Sequence, residues 1–302
     1  MKILLLGANG QVGQELRRSL APLGEIVATT RTGALPDGGR CEALDLNELD
    51  AIAPLVERVQ AGMVVNATAH TAVDRAEDEP EAAFRANAQA PGRLAEACAA
   101  HGATLLHYST DYVFDGSGTR PYREDDPTAP LGVYGASKLA GEQAIAASGA
   151  RHLILRTAWV YATHGANFLR TMLRVGAERD ELRVVADQTG CPTPAWLIAD
   201  VSAQILRQGI AESGVRHLVA AGETTWHGFA EAIFERAHAL DLIARKPVVH
   251  PIATADYPTR ARRPAYSVLD TTRLRGEFGV TLPDWRSALD RTLATDSAKS
   301  QA

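Results

Sequence analysis

The opening stretch MKILLLGANGQVGQEL restricts the fold more than any other part of the chain. KILLLG is a short, uninterrupted apolar run, the pattern of a strand covered on both faces. It passes directly into Gly7, Gly10 and Gly13 and then into QVGQELRRSLAPLG, whose apolar positions recur with a helical period. A buried strand, a glycine turn and a helix in that order predict a parallel sheet with helical crossovers. Such glycines let a backbone approach a pyrophosphate, and the start of the helix supplies N–H groups and positive potential. The spacing is GxxGxxG, and on its own it reads equally as a tight turn that needs positive φ. Its place between a buried strand and a helix favours dinucleotide binding.

The alternation continues through the first half. EIVATTR, GMVVNATA and HLILRTAWVY read as strands, and TLLHYSTDYVF as a strand running into a loop. LNELDAIAPLVERVQ, EPEAAFRANAQAPGRLAEACAAHG and VYGASKLAGEQA read as helices, the second with a kink expected at Pro91. The fold class predicted is α/β, a Rossmann-type doubly wound parallel sheet over residues 1–160. After Tyr161 the rhythm changes. NFLRTMLRVGAERDE, LIADVSAQILRQGI and TTWHGFAEAIFERAHALD are helical patterns, LRVVADQ and VRHLVAAG are strands, and YPTRARRPAYSVLD is basic and irregular. A smaller C-terminal domain is expected there. The small, polar tail TLATDSAKSQA is expected to fray.

A chain of 302 residues can build one large core or two domains. Its net charge of -5 argues against nucleic-acid or membrane-surface partners. An anionic ligand would therefore need positive potential gathered locally, from helix N-termini and a few Arg or Lys. Cys41, Cys98 and Cys191 form no CxxC pair, which fits a reducing compartment without disulfides or structural zinc. No apolar run approaches the ~20 residues that span a bilayer. These features read as a cytoplasmic protein.

Three residues supply what carbonyl reduction requires. Tyr134 and Lys138 are four apart and share a helix face. A free tyrosine titrates near ~10, and a neighbouring ammonium lowers that value. Thr110 lies at the end of a strand, where open α/β sheets bind ligands. Its hydroxyl can bond a substrate oxygen, Tyr134 can give that oxygen a proton, and Lys138 can hold a nicotinamide ribose. Thr110 also reads as a β-branched strand residue or a turn hydroxyl.

The second strand ends in Thr30 and Arg31, without the acid that would bond the ribose hydroxyls. Thr30 and Arg31 suit a 2′-phosphate, which favours NADPH over NADH, although Arg31 also reads as a solvated surface charge. Asp45 suits an adenine-edge contact. Trp159 could stack on a sugar or base, or fill a domain interface. Arg260, Arg262 and Arg263 could meet a diphosphate or form a solvated loop. His70 and His107 are expected to pack or to bond backbone.

The glycine motif, NATA at Asn66, and Thr110 with Tyr134-x-x-x-Lys138 resemble the extended short-chain dehydrogenase/reductase superfamily. More closely, GANGQVGQEL, NATAHTAVDRAE, HYSTDYVFDG, VYGASKLAGEQA, RTAWVY, NFLRTMLR, DQTGCPTPA, TTW and ARRPAYSVLD resemble the dTDP-4-dehydrorhamnose reductase family, from residue 1 to about Asp290. The resemblance implies NAD(P)H-dependent reduction of the C4 ketone of dTDP-4-dehydro-L-rhamnose, with Thr110, Tyr134 and Lys138 as the catalytic set. It also implies two interleaved domains. Residues 161–302 would mainly bind the sugar nucleotide, and segments near 182–210 and 246–266 would return to the first domain.

Carried over by position, cofactor contacts fall on Gly7, Asn9, Gly10, Gln11, Val12, Gly13, Thr30, Arg31, Asp45, Leu46, Ala67, Thr68 and Ala69, besides Tyr134 and Lys138. Substrate contacts fall on Thr71, Asp111, Tyr112, Trp159 and Arg263. The family often has an acid at the end of strand two and uses either cofactor, so Thr30-Arg31 is a departure that favours NADPH and puts NADH in doubt. Some members form Mg2+-dependent dimers through acidic clusters. Here Glu15 lies on the first helix without a compact ligand motif, so no metal ligands are assigned, and Mg2+ and a homodimer stay open. Two other readings stay in play: another nucleotide-sugar ketoreductase or epimerase, and a non-catalytic regulatory subunit resembling that of methionine adenosyltransferase.

Overall fold

The computed structural model describes residues 1–300, with side chains described to Asp296. Strand β1 (Lys2–Leu6) alternates its side chains between two buried faces. Ile3 and Leu5 enter one core cluster, and Leu4 and Leu6 enter another on the opposite face. No face of β1 is left for water, which is why its sequence does not alternate with polar residues. Around it assemble β2 (Glu25–Thr30), β3 (Glu42–Ala43), β4 (Met63–Asn66), β5 (Thr104–Thr110) and β6 (His152–Thr157). A seventh strand, Gly214–His217, comes from the second half of the chain. Every pairing is parallel, in the order Gly214–His217, β6, β5, β4, β1, β2, β3. The chain leaves β1 toward β2 and later returns to β4 on its other side. The crevice at the carboxyl ends of β1 and β4 is thus the switch point at which such sheets bind ligands.

Helix α1 (Gln11–Leu20) lies on one face, against α8 (Ala195–Gln208) from the second half. The other face carries α2 (Ile52–Val59), α5 (Ala90–His101) and α6 (Val133–Ala147). Between β4 and α5 come two short helices, α3 (Val73–Asp78) and α4 (Pro80–Phe84). Helices α7 (Phe168–Glu178) and α9 (Trp226–Ala239) pack together, and α9 also touches a two-stranded sheet. That sheet pairs Glu181–Val185 with Val248–Ile252 and is separate from the main one. The chain closes with α10 (Thr272–Phe278) and α11 (Trp285–Ser300).

Three local expectations change. HLILRTAWVY is two strands: β6 ends at Thr157, and Val160–Tyr161 pairs instead with Thr193–Pro194. The break is at Trp159, whose φ of +46° no strand residue adopts. The long helical stretch before β5 widens into a π turn over Arg85–Gln89, just upstream of Pro91. Pro91 has no N–H to give to the Asn87 carbonyl four residues back, and the wider turn accommodates that loss. The tail is helical to Ser300 where fraying was expected, with Thr292 and Leu293 buried; Gln301 and Ala302 lie outside the described residues.

The Asn87 carbonyl has its own use. A Cβ on Gly141 of α6 would sit 2.0 Å from it, so only glycine lets the two helices approach this closely. An exposed helical Gly→Ala change stabilises by about 1 kcal/mol. Gly141→Ala should instead lower stability by 1–3 kcal/mol, about the usual penalty for overpacking, measured as a fall in the urea midpoint at constant slope.

Candidate active site

The glycine turn shows three different uses of glycine. Gly7 has φ +77°, and a Cβ on it would come within 2.9 Å of the Ala67 carbonyl and the Thr68 methyl. Gly13 faces the turn from inside α1, where a Cβ would be 2.0 Å from the Gly7 carbonyl. Gly10 has ordinary φ, and a Cβ there would meet only the Gly7 carbonyl, at 3.3 Å. The first and third glycines therefore lock the strand, helix and β4 loop together, and the second leaves open surface at the start of α1. No side chain caps that helix. The cradle fits a pyrophosphate: an uncapped helix start over small residues, beside the exposed Asn9 and the half-buried Gln11 and Val12. Gln11 also reaches the second half, accepting from Asn167 Nδ2 at 2.8 Å.

Other cofactor candidates are partly engaged. Thr30 is 2 % exposed, and its hydroxyl donates to the Ala34 carbonyl and accepts from the Ala34 N–H, both at 3.1 Å. Its hydroxyl thus closes the turn, and a 2′-phosphate would compete with that bond, while Arg31 stands exposed at the strand end. The Asp45 carboxylate accepts from the Asn47 N–H and side chain at 2.9 Å, closing the loop in which Leu46 lies. Ala67, Thr68 and Ala69 follow β4 against the glycine turn, and Thr71 is exposed just beyond them.

At the end of β5, Thr110 starts a turn and accepts from the Tyr112 N–H at 3.2 Å. Its hydroxyl donates to Asp111 at 3.0 Å. The Tyr112 and Tyr134 rings meet edge to face, 5.5 Å apart. Gly135 makes this possible, because a Cβ there would sit 2.1 Å from the Tyr112 carbonyl. Arg263 donates to the Tyr112 hydroxyl at 3.1 Å and to Asp74 at 2.7 Å, so the basic loop is tied onto α3 over the site. Arg260 pairs with Asp78 at 3.0 Å, farther out, and Arg262 is exposed.

Lys138 is 2 % exposed and does not bond Tyr134. Its Nζ donates to the Tyr108 carbonyl at 2.6 Å and lies 3.2 Å from His107 Nε2. The expected lowering of the tyrosine by the lysine is therefore absent. Burial raises the Tyr134 hydroxyl well above its ordinary value, with the Thr110 hydroxyl acting in opposition. A phenol held protonated is the form a proton donor needs.

The sequence did not single out Asn87, which is fully buried on the π turn. It bonds the His70 N–H at 2.8 Å, the His70 carbonyl at 3.0 Å and Ser137 Oγ at 3.0 Å, holding the β4 loop to α6. The signal was an asparagine inside a helical pattern, where its propensity is poor. Trp159 stacks on Trp226 with ring centres 3.5 Å apart and lies over Gly190. Glu15 is bonded by His164 at 3.2 Å and Arg18 at 3.4 Å. Among the described residues no three His, Cys, Asp or Glu side chains are placed to hold a metal ion.

The family model described as RmlD substrate binding domain matches residues 1–298. A dTDP-4-dehydrorhamnose reductase of Burkholderia thailandensis is 49 % identical over 298 residues, 96 % of this chain and 97 % of that protein. The chain belongs to the dTDP-4-dehydrorhamnose reductase family. A second member, from Escherichia coli K12, is 45 % identical over 97 % of both chains. Two solved members of the family superpose closely. The reductase of Clostridium acetobutylicum has a TM-score of 0.89 at 34 % identity, over 98 % of this chain and 99 % of that one. The Bacillus anthracis reductase, solved with NADP, has a TM-score of 0.87 at 33 % identity, over 97 % and 99 %. This chain shares its Rossmann-type α/β fold with both of these reductases.

Asp111 generates a test. Burial pushes its carboxyl up from 3.8 to about 6, against the pull of its hydrogen bonds. The folded state then holds this proton more tightly than the unfolded chain does. Stability is lost as pH rises through about 4 to 6, and the loss is complete above that window. Asp111→Asn should therefore gain stability over the parent on passing from pH 4 to pH 7, by about 3 kcal/mol at most. Parallel urea melts at the two pH values measure the difference.

Proposed function

We propose that this chain reduces the C4 ketone of dTDP-4-dehydro-L-rhamnose to dTDP-L-rhamnose with NADPH. The observation that carries the reading is the placement of Thr110, Tyr134 and Lys138 at the carboxyl edge of the sheet, next to an uncapped glycine turn, in a chain that matches reductases of this name over nearly its whole length. Residues 1–160 would hold the cofactor, and residues 161–302 would mainly hold the sugar nucleotide. The glycine turn and the start of α1 would take the pyrophosphate, and Lys138 the nicotinamide ribose. When bound, the nicotinamide supplies the hydride.

The chain's own residues handle the oxygen. With substrate bound, Thr110 would turn the hydroxyl proton it gives to Asp111 toward the C4 carbonyl oxygen and polarise it. Tyr134, kept protonated by its surroundings, passes its phenolic proton to that oxygen as negative charge develops there. Tyr112, braced by Arg263, and the buried Asp111 form the wall beside the tyrosine. Trp159 lines the sugar side with its edge, since one face is covered by Trp226. NADPH is favoured because Arg31 can pair with a 2′-phosphate and no acid stands at that strand end to repel it. NADH remains usable with lower efficiency. No described helix is long and apolar enough to cross a membrane. Location in the cytoplasm and assembly as a homodimer belong to the same proposal, and Mg2+ dependence enters no step of it.

Two measurements test it. Oxidation of NADPH should depend on the dTDP-sugar, and Tyr134→Phe should lower kcat by about 10²–10⁴ while cofactor affinity survives. Undiminished kcat in that variant would remove Tyr134 from the mechanism. For the cofactor, Arg31→Ala should lower kcat/KM for NADPH by about tenfold or more, the range of a charge-assisted bond, and leave NADH little changed. An equal loss with both cofactors would dismiss the phosphate contact.

A further inference from the structure

On the side of Lys138 away from the substrate edge, the hydrogen-bonding roles can be worked out atom by atom. Asn66, 1 % exposed at the end of β4, accepts from the Thr68 N–H at 3.1 Å and from the Thr68 hydroxyl at 2.5 Å, both on Oδ1. A backbone N–H can only donate, so Oδ1 must be the atom that faces Thr68. The amide NH2 of Asn66 then faces His107 Nδ1, at 3.1 Å. An amide NH2 also can only donate. Nδ1 is therefore the acceptor, and the neutral ring carries its single proton on Nε2. That proton points at Lys138 Nζ, 3.2 Å away. An ammonium has three donors and no acceptor, so two donors would confront each other. A free amine has a lone pair for the His107 proton and still donates to the Tyr108 carbonyl at 2.6 Å.

We propose that His107 is a positioning residue for Lys138: fixed by Asn66 as the Nε2–H tautomer, it donates to Nζ and biases the lysine toward its free-amine form in the cofactor-free protein. The titratable and charged groups around Lys138 are His107 on β5, Tyr134 and Glu142 on its own helix, and Arg156 on β6. Burial brings Lys138 down to about 8, with Glu142 acting the other way. Glu142 is matched by Arg156 through two bonds of 2.9 and 2.7 Å. Burial holds His107 far below 6.5 and keeps its ring neutral. The lysine thus takes up its proton when a ligand offers it an acceptor in place of His107. Only that last consequence rests on the proposed reductase reading; the tautomer does not.

The test uses the full chain without cofactor. Long-range 1H–15N correlation spectra of 15N-histidine-labelled protein at about pH 9, above the lysine's value of about 8, distinguish the two tautomers, and His107→Gln identifies the signal. The expected pattern is neutral with the proton on Nε2. A proton on Nδ1, or a charged ring, overturns the proposal. Asn66→Asp supplies a second route: a carboxylate oxygen in place of NH2 accepts from Nδ1–H, inverts the tautomer and turns Nε2 into an acceptor for an ammonium. This identifies the same signal if His107→Gln does not fold. The chain has four lysines, Lys2, Lys138, Lys246 and Lys299, so 13C-lysine spectra can follow each titration. The Lys138 midpoint should rise by about one pH unit or more in Asn66→Asp. A folded variant with an unmoved midpoint overturns the proposal. A protein that turns over no dTDP-sugar yet shows the Nε2–H pattern would dismiss the reductase reading and leave this one standing.

Discussion

Helix α6 is fastened to the sheet by backbone proximity and buried charge more than by apolar side chains, and the site depends on that attachment. Gly135 and Gly141, nearly two turns apart, bring the helix against the carbonyls of Tyr112 and Asn87. Between and beyond them Ser137, Lys138 and Glu142 are all buried, and each meets a polar partner. Apolar packing tolerates volume-conserving swaps at a cost of under about 1.5 kcal/mol. Hydrogen-bonded charges in a dry interior are less tolerant, because a mispaired ion there costs several kcal/mol. The helix is therefore fixed in both rotation and height, and Tyr134 inherits that placement. The Arg156 guanidinium, lying over the Phe114 ring 5.1 Å away, anchors the far end of the same arrangement.

Much of this was legible in the sequence, and the reasons differ from one element to another. Continuous apolar runs such as KILLL and the four-residue spacing of Tyr134 and Lys138 report local geometry, so the parallel sheet and the shared helix face could be read directly. The glycine turn was legible as a whole, although its separate roles were not: Gly10 and Gly13 look alike in one dimension, and only the neighbouring Gly7 carbonyl distinguishes them. The bond of Thr30 to Ala34 was not legible, because a hydroxyl at a strand end suits its own turn and a ligand equally well. Asn87 and the tie between Arg263 and Asp74 depend on partners 17 to 189 residues away, for which no local pattern exists. The lysine's true neighbours were also non-local. His107 was expected to pack or bond backbone, and it bonds two side chains instead.

The two halves of the chain meet through named polar contacts as well as through a shared core. Gln11 beside the glycine turn bonds Asn167 at the head of α7. Arg263, from the irregular basic loop, reaches Tyr112 and Asp74. Trp159, in its left-handed conformation, turns the chain out of β6 and onto Trp226 of α9. A conformation of that kind costs of order 1–3 kcal/mol in a non-glycine residue and persists where its surroundings over-determine it. Here the stack on Trp226 and the bare surface of Gly190 supply that support.

The seventh strand has a consequence for how the chain is made. Gly214–His217 closes the edge of β6, and Ala195–Gln208 covers α1, yet both are synthesised well after the first six strands. A growing chain that has reached residue 160 presents β6 with unpaired backbone groups and α1 with an uncovered apolar face. An open edge of this sort is a template for pairing with another chain. The nascent first half cannot finish folding until at least residue 217 has emerged, so the ribosome and whatever shields new chains must protect that edge for the interval. Synthesis order, and not only the final energy, is thus written into which segment of the sequence supplies the outermost strand.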